Sequence, residues 1–130
     1  MATTKKTASK KPFRKPIPNP KKPKVKRAGA GGFNSDVIVD MLHMYDMPYA
    51  ALNPGASYRG LHDSIVNYGG NYPHMMLCTH EETAVQIAHG YARATNTPMV
   101  AIVHNLVGLL HSNMAIYYAY IDRAPIFIIG

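Results

Sequence analysis

Two adjacent carboxylates, Glu81 and Glu82, follow the apolar run "HMMLC" and open the segment "EETAVQIAHGYARA". A carboxylate at the start of a helix can hold or move a proton on a bound ligand, and it can equally serve the helix itself, because acids suit the positive end of the dipole. The pattern Thr79-His80-Glu81-Glu82 fits Thr-x-x-Glu, a capping box in which Thr79 and Glu82 satisfy one another's backbone amides. That gives Glu82 a structural job and leaves Glu81 without one. His104 follows "MVAIV" and opens a loop; a group that titrates near neutrality there suits acid–base work beside Glu81, and suits an ordinary strand end as well. His43 and His111 fall in helical stretches, where packing or surface roles are common. Zinc is not expected: "HEETA" places Ala84 where a second histidine belongs, and His89 does not share a helical face with His80. Neither a dinucleotide fingerprint nor a Walker loop is present, and "NPGAS" is too short for either.

The elements that must position these groups alternate. Helical spacing marks "SDVIVDMLHMY" through Val37, Ile38, Met41, Leu42 and Tyr45, then "SYRGLHDSIVNYGG", "HEETAVQIAHGYARAT" and "GLLHSNMAIYYAYIDRA". Between them lie short apolar runs, in "MPYAALNPG", "YPHMMLCT", "TPMVAIVHN" and "PIFIIG". The order α-β-α-β-α-β-α-β, with strands that do not alternate, predicts an α/β fold: an open, doubly wound parallel sheet with helices on both faces. Ligands of such sheets bind beyond the carboxyl ends of the strands, where "NPGAS", "THEE" and "HNLVG" fall. The small residues Ala84, Ala88, Gly90, Ala92 and Ala94 suit either a subunit contact or close packing on the helix's own sheet.

Charge divides the chain. Residues 1 to 27 hold 11 of the 14 Lys and Arg and no acid, whereas residues 28 to 130 hold three basic residues against seven acids, a balance of 3 − 7 = −4. Residues 1–32, with five prolines, read as a disordered Lys/Pro-rich tail, either a solvated leader or a contact for polyanions, and residues 33–130 read as one domain. The tail lacks the apolar core of a secretory signal, and no run approaches the roughly 18 apolar residues of a membrane span, so a cytoplasmic protein without membrane contact is expected. One cysteine, Cys78, excludes an internal disulfide and reads as a small buried hydrophobe. Ending directly after a strand suggests a piece of a longer protein.

From residue 33 onward, several motifs in order resemble the N-terminal, pyrimidine-binding domain of thiamine diphosphate-dependent enzymes of the acetolactate synthase, benzoylformate decarboxylase and pyruvate decarboxylase kind. They are His80-Glu81, Gly90-Tyr91-Ala92-Arg93, the strand Pro98 to Val103, Gly108, and Asp122-Arg123-Ala124-Pro125. The resemblance implies a carboligase or decarboxylase acting on 2-oxo acids, with Glu81 as the cofactor-activating glutamate. That residue hydrogen-bonds the aminopyrimidine, favours its imino tautomer and so leads to the thiazolium carbanion; an apolar crevice would raise its pKa. His104 matches a proton-transferring histidine of some decarboxylases. Pro54, Gly55 and Gly108 fall on the cofactor side, and Asn53, Ala56, Ser57, Asn105 and His111 on the substrate side. Two departures stand out: Ala56 occupies the place of the decarboxylase serine, with Ser57 one residue on, and His111 stands where the family often has Asn. The resemblance further implies thiamine diphosphate, Mg2+ held through a C-terminal domain not in this chain, a homo-oligomer, and an isolated 130-residue chain that is inactive. The rival readings are a non-catalytic α/β interaction protein with a polyanion-binding tail, and an orphan or regulatory subunit of a thiamine diphosphate enzyme.

Overall fold

Four short apolar runs form four parallel strands in a computed structural model, which describes residues 20–24 and 32–130. The strands are β1 (Tyr49–Leu52), β2 (His74–Leu77), β3 (Met99–Ile102) and β4 (Ile126–Ile129), in the spatial order β2-β1-β3-β4. The helices are α1 (Asn34–Met44), α2 (Arg59–Asn67), α3 (Glu81–Thr95), α4 (Asn105–His111) and α5 (Asn113–Ile121). A short 3-10 turn, Ala56–Tyr58, precedes α2.

Alternate residues of the central strands feed two cores. Ala50 and Leu52 of β1 and Val100 and Ile102 of β3 pack on Val39 and Leu42 of α1 and Leu61 and Ile65 of α2. Ala51, Met99, Ala101 and Val103 face the other way, against Ala84, Val85 and Ala88 of α3 and Ala115 of α5. The sheet is thus covered on both faces, as the unbroken apolar runs predict. The β3 side chains are fully buried, and each branched one contributes about 1.5–3 kcal/mol. The edge strands β2 and β4 are only partly covered.

The order β2-β1-β3 means that the chain leaves β1 in one direction and, after β2, crosses back over it. The register then sets Leu52, Leu77 and Ile102, the last residues of three strands, level with one another. Their following loops emerge at one edge of the sheet, at the switch point between β1 and β3 where a crevice opens.

Several expectations change in detail. The last helical segment is two helices, α4 and α5, meeting at the buried Ser112, whose hydroxyl donates to the Leu109 carbonyl at 3.1 Å. The periodic apolar residues of α1 do not all face the core. Val39 and Leu42 do, whereas Ile38, Met41 and Tyr45 line an apolar groove of about 490 Å3 with Phe127 and Ile129 of β4. Of the small residues on α3, Ala84 and Ala88 pack against the sheet and Ala92 is buried, which is close packing within the domain, while Gly90 faces open space. Within the range read as a tail, Lys22 donates to the His43 carbonyl and lies 3.6 Å from Asp46. Residues 1–19 and 25–31 of that range, and with them the expected disorder, lie outside the described residues. Among the described residues, no helix is long and apolar enough to cross a membrane.

Candidate functional site

Glu81 is the first residue of α3, directly behind the loop that follows β2. Its side chain is covered by its neighbours, at 6 % exposure. Asn53, the first residue after β1, donates from Nδ2 to Glu81 Oε1 at 3.0 Å. Gly108 of α4 closes over the same carboxyl. A Cβ there would stand 2.7 Å from Glu81 Cγ and 2.8 Å from Oε1, so only glycine leaves the carboxyl its place. Oε2 faces His111 Nδ1 at 3.7 Å, and the His111 ring stacks on that of His80 with centroids 4.9 Å apart. Three strand-end loops therefore converge on one buried acid.

The cap of α3 is not the expected box. The helix begins one residue later than Thr-x-x-Glu requires, and His80 occupies the capping position, with Nδ1 accepting the Glu82 N–H at 3.2 Å. Glu82 Oε1 accepts from Gln86 Nε2 at 3.1 Å, one turn further along and away from Thr79. Glu81 turns inward, and Glu82, expected as part of the cap, pairs instead along the helix with Gln86.

His104 belongs to a second cluster. Its Nδ1 shares a hydrogen bond of 2.7 Å with the Ser57 hydroxyl, and its ring lies edge-on to Tyr58. Gly55 presses on this histidine, because a Cβ at position 55 would stand 2.5 Å from His104 Cβ. The two clusters join through Tyr58, whose hydroxyl donates to the Asn53 carbonyl. Glu81 and His104 were expected on neighbouring strand ends; the sheet order inserts β1 between β2 and β3, so Asn53 and Tyr58 stand between them in the network. Pro54, Gly55 and Ala56 line a cavity of about 370 Å3 with Leu52, Tyr58, Arg59 and His62. Asn105 differs from its expected place. Its Oδ1 accepts the Leu106 N–H, and it lines a separate groove with Leu109, Ile116 and Ile128. Cys78 is buried, as expected, and burial raises its thiol pKa.

The electrostatics of Glu81 also differ from expectation. Burial pushes its pKa up, but the Asn53 amide, its own backbone N–H at the helix start, and the positive potential of His111 and His80 together bring it below the ordinary value of 4.5. The mouth of the crevice is polar where an apolar one was expected. A depressed carboxylate contributes stability that is present above the ordinary pKa and lost as pH falls through the folded-state value. Carbon-detected titration of the Glu81 carboxyl is therefore expected to show a midpoint below 4.5 that rises in His111→Ala; a midpoint at or above 4.5 in the native chain contradicts this account.

Sequence reasoning missed three parts of this site: Tyr58 as the clamp on Asn53, His80 as the helix cap, and the approach of His111 to Glu81. No local pattern signals the His111–Glu81 approach across 30 residues, whereas the His80 cap and the Tyr58 contact are local, two and five residues apart, and were masked by the Thr-x-x-Glu pattern and by the loop between β1 and α2. Outside the site, Arg93 and His89 of α3 both reach Asp122 at the end of α5, at 2.6 Å and 2.9 Å, so these motif residues tie two helices together.

Residues 34–130 match the family model described as "Thiamine pyrophosphate enzyme, N-terminal TPP binding domain". The acetolactate synthase large subunit of Haemophilus influenzae is 30% identical over 96 residues, which is 74% of this chain and 16% of that protein. Two crystal structures share the fold. An enzyme from Mycobacterium smegmatis, described as thiamin diphosphate-dependent, superposes with a TM-score of 0.64 at 23% identity, covering 72% of this chain and 17% of its own. Benzoylformate decarboxylase from Polynucleobacter necessarius gives 0.62 at 21% identity, with the same coverage. The chain thus spans 16–17% of the length of these relatives.

Proposed function

Because the chain belongs to the thiamine pyrophosphate enzymes, as their N-terminal TPP binding domain, we propose that its strand-end crevice receives the aminopyrimidine ring of thiamine diphosphate and that Glu81 is the group that meets it. The observation that carries this reading is the buried carboxyl at the start of α3, with Oε1 held by Asn53 and the backbone of Gly108 packed close over it. When bound, thiamine diphosphate supplies a carbon nucleophile for adding to or decarboxylating 2-oxo acids. Asn53 fixes the rotamer of Glu81, and the fixed carboxyl holds or accepts a proton at a ring nitrogen. Ser57 and His104 form a hydrogen-bonded pair suited to moving a proton on the substrate side, with Ser57 standing in for the serine absent at position 56.

The diphosphate and Mg2+ are assigned to residues outside this set, in a homo-oligomer that completes the site. The described residues contain neither a Gly-rich phosphate loop nor a cluster of carboxylates at the crevice. Thiamine and thiamine diphosphate should therefore bind the 130-residue chain about equally and weakly, with dissociation constants near or above about 1 mM. Amide shifts on titration should be confined to the neighbourhood of Asn53, Glu81 and Gly108. Low-micromolar binding of the diphosphate alone, about −8 kcal/mol, would reveal a phosphate site within this chain. Shifts elsewhere on the fold would remove the pyrimidine reading of the crevice.

A further inference from the structure

His80, Glu81 and His111 each present a ligand atom, and these atoms lie within 4.8 Å of one another. We propose that this trio binds a Zn2+ ion. Two imidazoles and one carboxylate form a donor set that zinc accepts, with the fourth tetrahedral position left to water. Ligand atoms about 2.0–2.2 Å from zinc stand roughly 3.4 Å apart, so the trio must close by about 1.4 Å. The two histidines are exposed and can swing inward, while Glu81 is already held. Asn53 engages Oε1 and leaves Oε2, the oxygen facing His111, to the ion; a ligating carboxylate is ordinarily supported in this way by an outer hydrogen bond. His111 comes from α4 and His80 from the loop before α3, so zinc would clip two strand-end segments together. Residues 1–32 contain no His, Cys, Asp or Glu and add no competing ligand.

The site has a built-in reporter. His80 Nδ1 now accepts the Glu82 N–H, so the neutral ring carries its proton on Nε2. Ligation through Nδ1 removes the acceptor. Ligation through Nε2 moves the proton to Nδ1 and turns the acceptor into a donor. Either way the Glu82 amide loses its partner when zinc binds. The inference shares Glu81 with the reading above, because a carboxylate that ligates zinc does not meet a pyrimidine. A titration with zinc alone uses no thiamine compound, so its failure leaves the pyrimidine reading standing.

The test is competition for Zn2+ between the full chain and a colorimetric chelator, with hydrogen exchange of the Glu82 amide followed in parallel. One ion per chain is expected. His80→Ala and His111→Ala, both surface changes whose folding circular dichroism can verify, should each weaken binding by more than about tenfold, and His62→Ala should not. Zinc should speed exchange at the Glu82 amide. Absence of zinc uptake, native affinity in either histidine variant, or an unchanged Glu82 amide overturns the assignment.

Discussion

Replacing Glu81 by Gln in the complete enzyme is expected to slow proton exchange at the reactive thiazolium carbon by about 10²–10⁴, the usual range for a lost acid–base group. The amide keeps the shape of the side chain and can still bond Asn53, but it cannot take up or share the proton at the pyrimidine. Glu82→Gln is the matched control. Among the described residues, the Glu82 side chain accepts from Gln86, one turn along an exposed face, and such a pair contributes about 0.2–0.5 kcal/mol. Exchange and turnover should survive that change nearly intact. The measurement is deuterium exchange together with turnover for both variants. If Glu82→Gln abolished exchange while Glu81→Gln preserved it, the roles would be reversed. If neither variant altered it, the proposed chemistry at this helix start would be lost.

Gly108→Ala is expected to do comparable damage without touching a titratable group. The new methyl would stand 2.7 Å from Glu81 Cγ and 2.8 Å from Oε1. Glu81 cannot simply swing away, because it is enclosed and tied to Asn53. Either the carboxyl leaves its position or α4 lifts. A displacement near 1 Å costs about 10²-fold in rate, and overpacking of this kind costs about 1–3 kcal/mol in stability. Gly90→Ala supplies the contrast. Nothing lies within 4 Å of a Cβ at that position in α3, so the better helix former should add up to about 1 kcal/mol and leave activity alone. Thermal melts and exchange rates of the two alanine variants decide the matter. A Gly108→Ala enzyme with unchanged exchange would mean that the carboxyl does not need its observed position.

Much of the architecture was legible because local and global signals agree. Apolar runs of strand length, separated by helical periodicity, admit few arrangements besides a parallel sheet covered on both faces. The inward role of Glu81 was legible as a remainder: once Glu82 is explained by the helix, Glu81 has no local partner to account for it. The capping box at Thr79 was a wrong expectation in an informative way. Its residue types were correct, but the helix began one residue later, with His80 in the capping position and Glu81 turned beneath it to Asn53.

What the sequence determined by itself is therefore the class of fold, the edge of the sheet where the strand-end loops gather, and the presence of Glu81 there, since each follows from the order of apolar runs and helical periodicity along residues 33–130. What only the tertiary structure decided is the company that acid keeps. The order β2-β1-β3-β4 separates Glu81 from His104 and sets Asn53 between their strands. Helix α4 brings Gly108 over the carboxyl and, at its end, His111 beside it. The lowered pKa follows from that company, as burial alone acts in the opposite direction. Contacts across 28 or 30 residues depend on crossover direction and strand register, which hydrophobic periodicity does not encode.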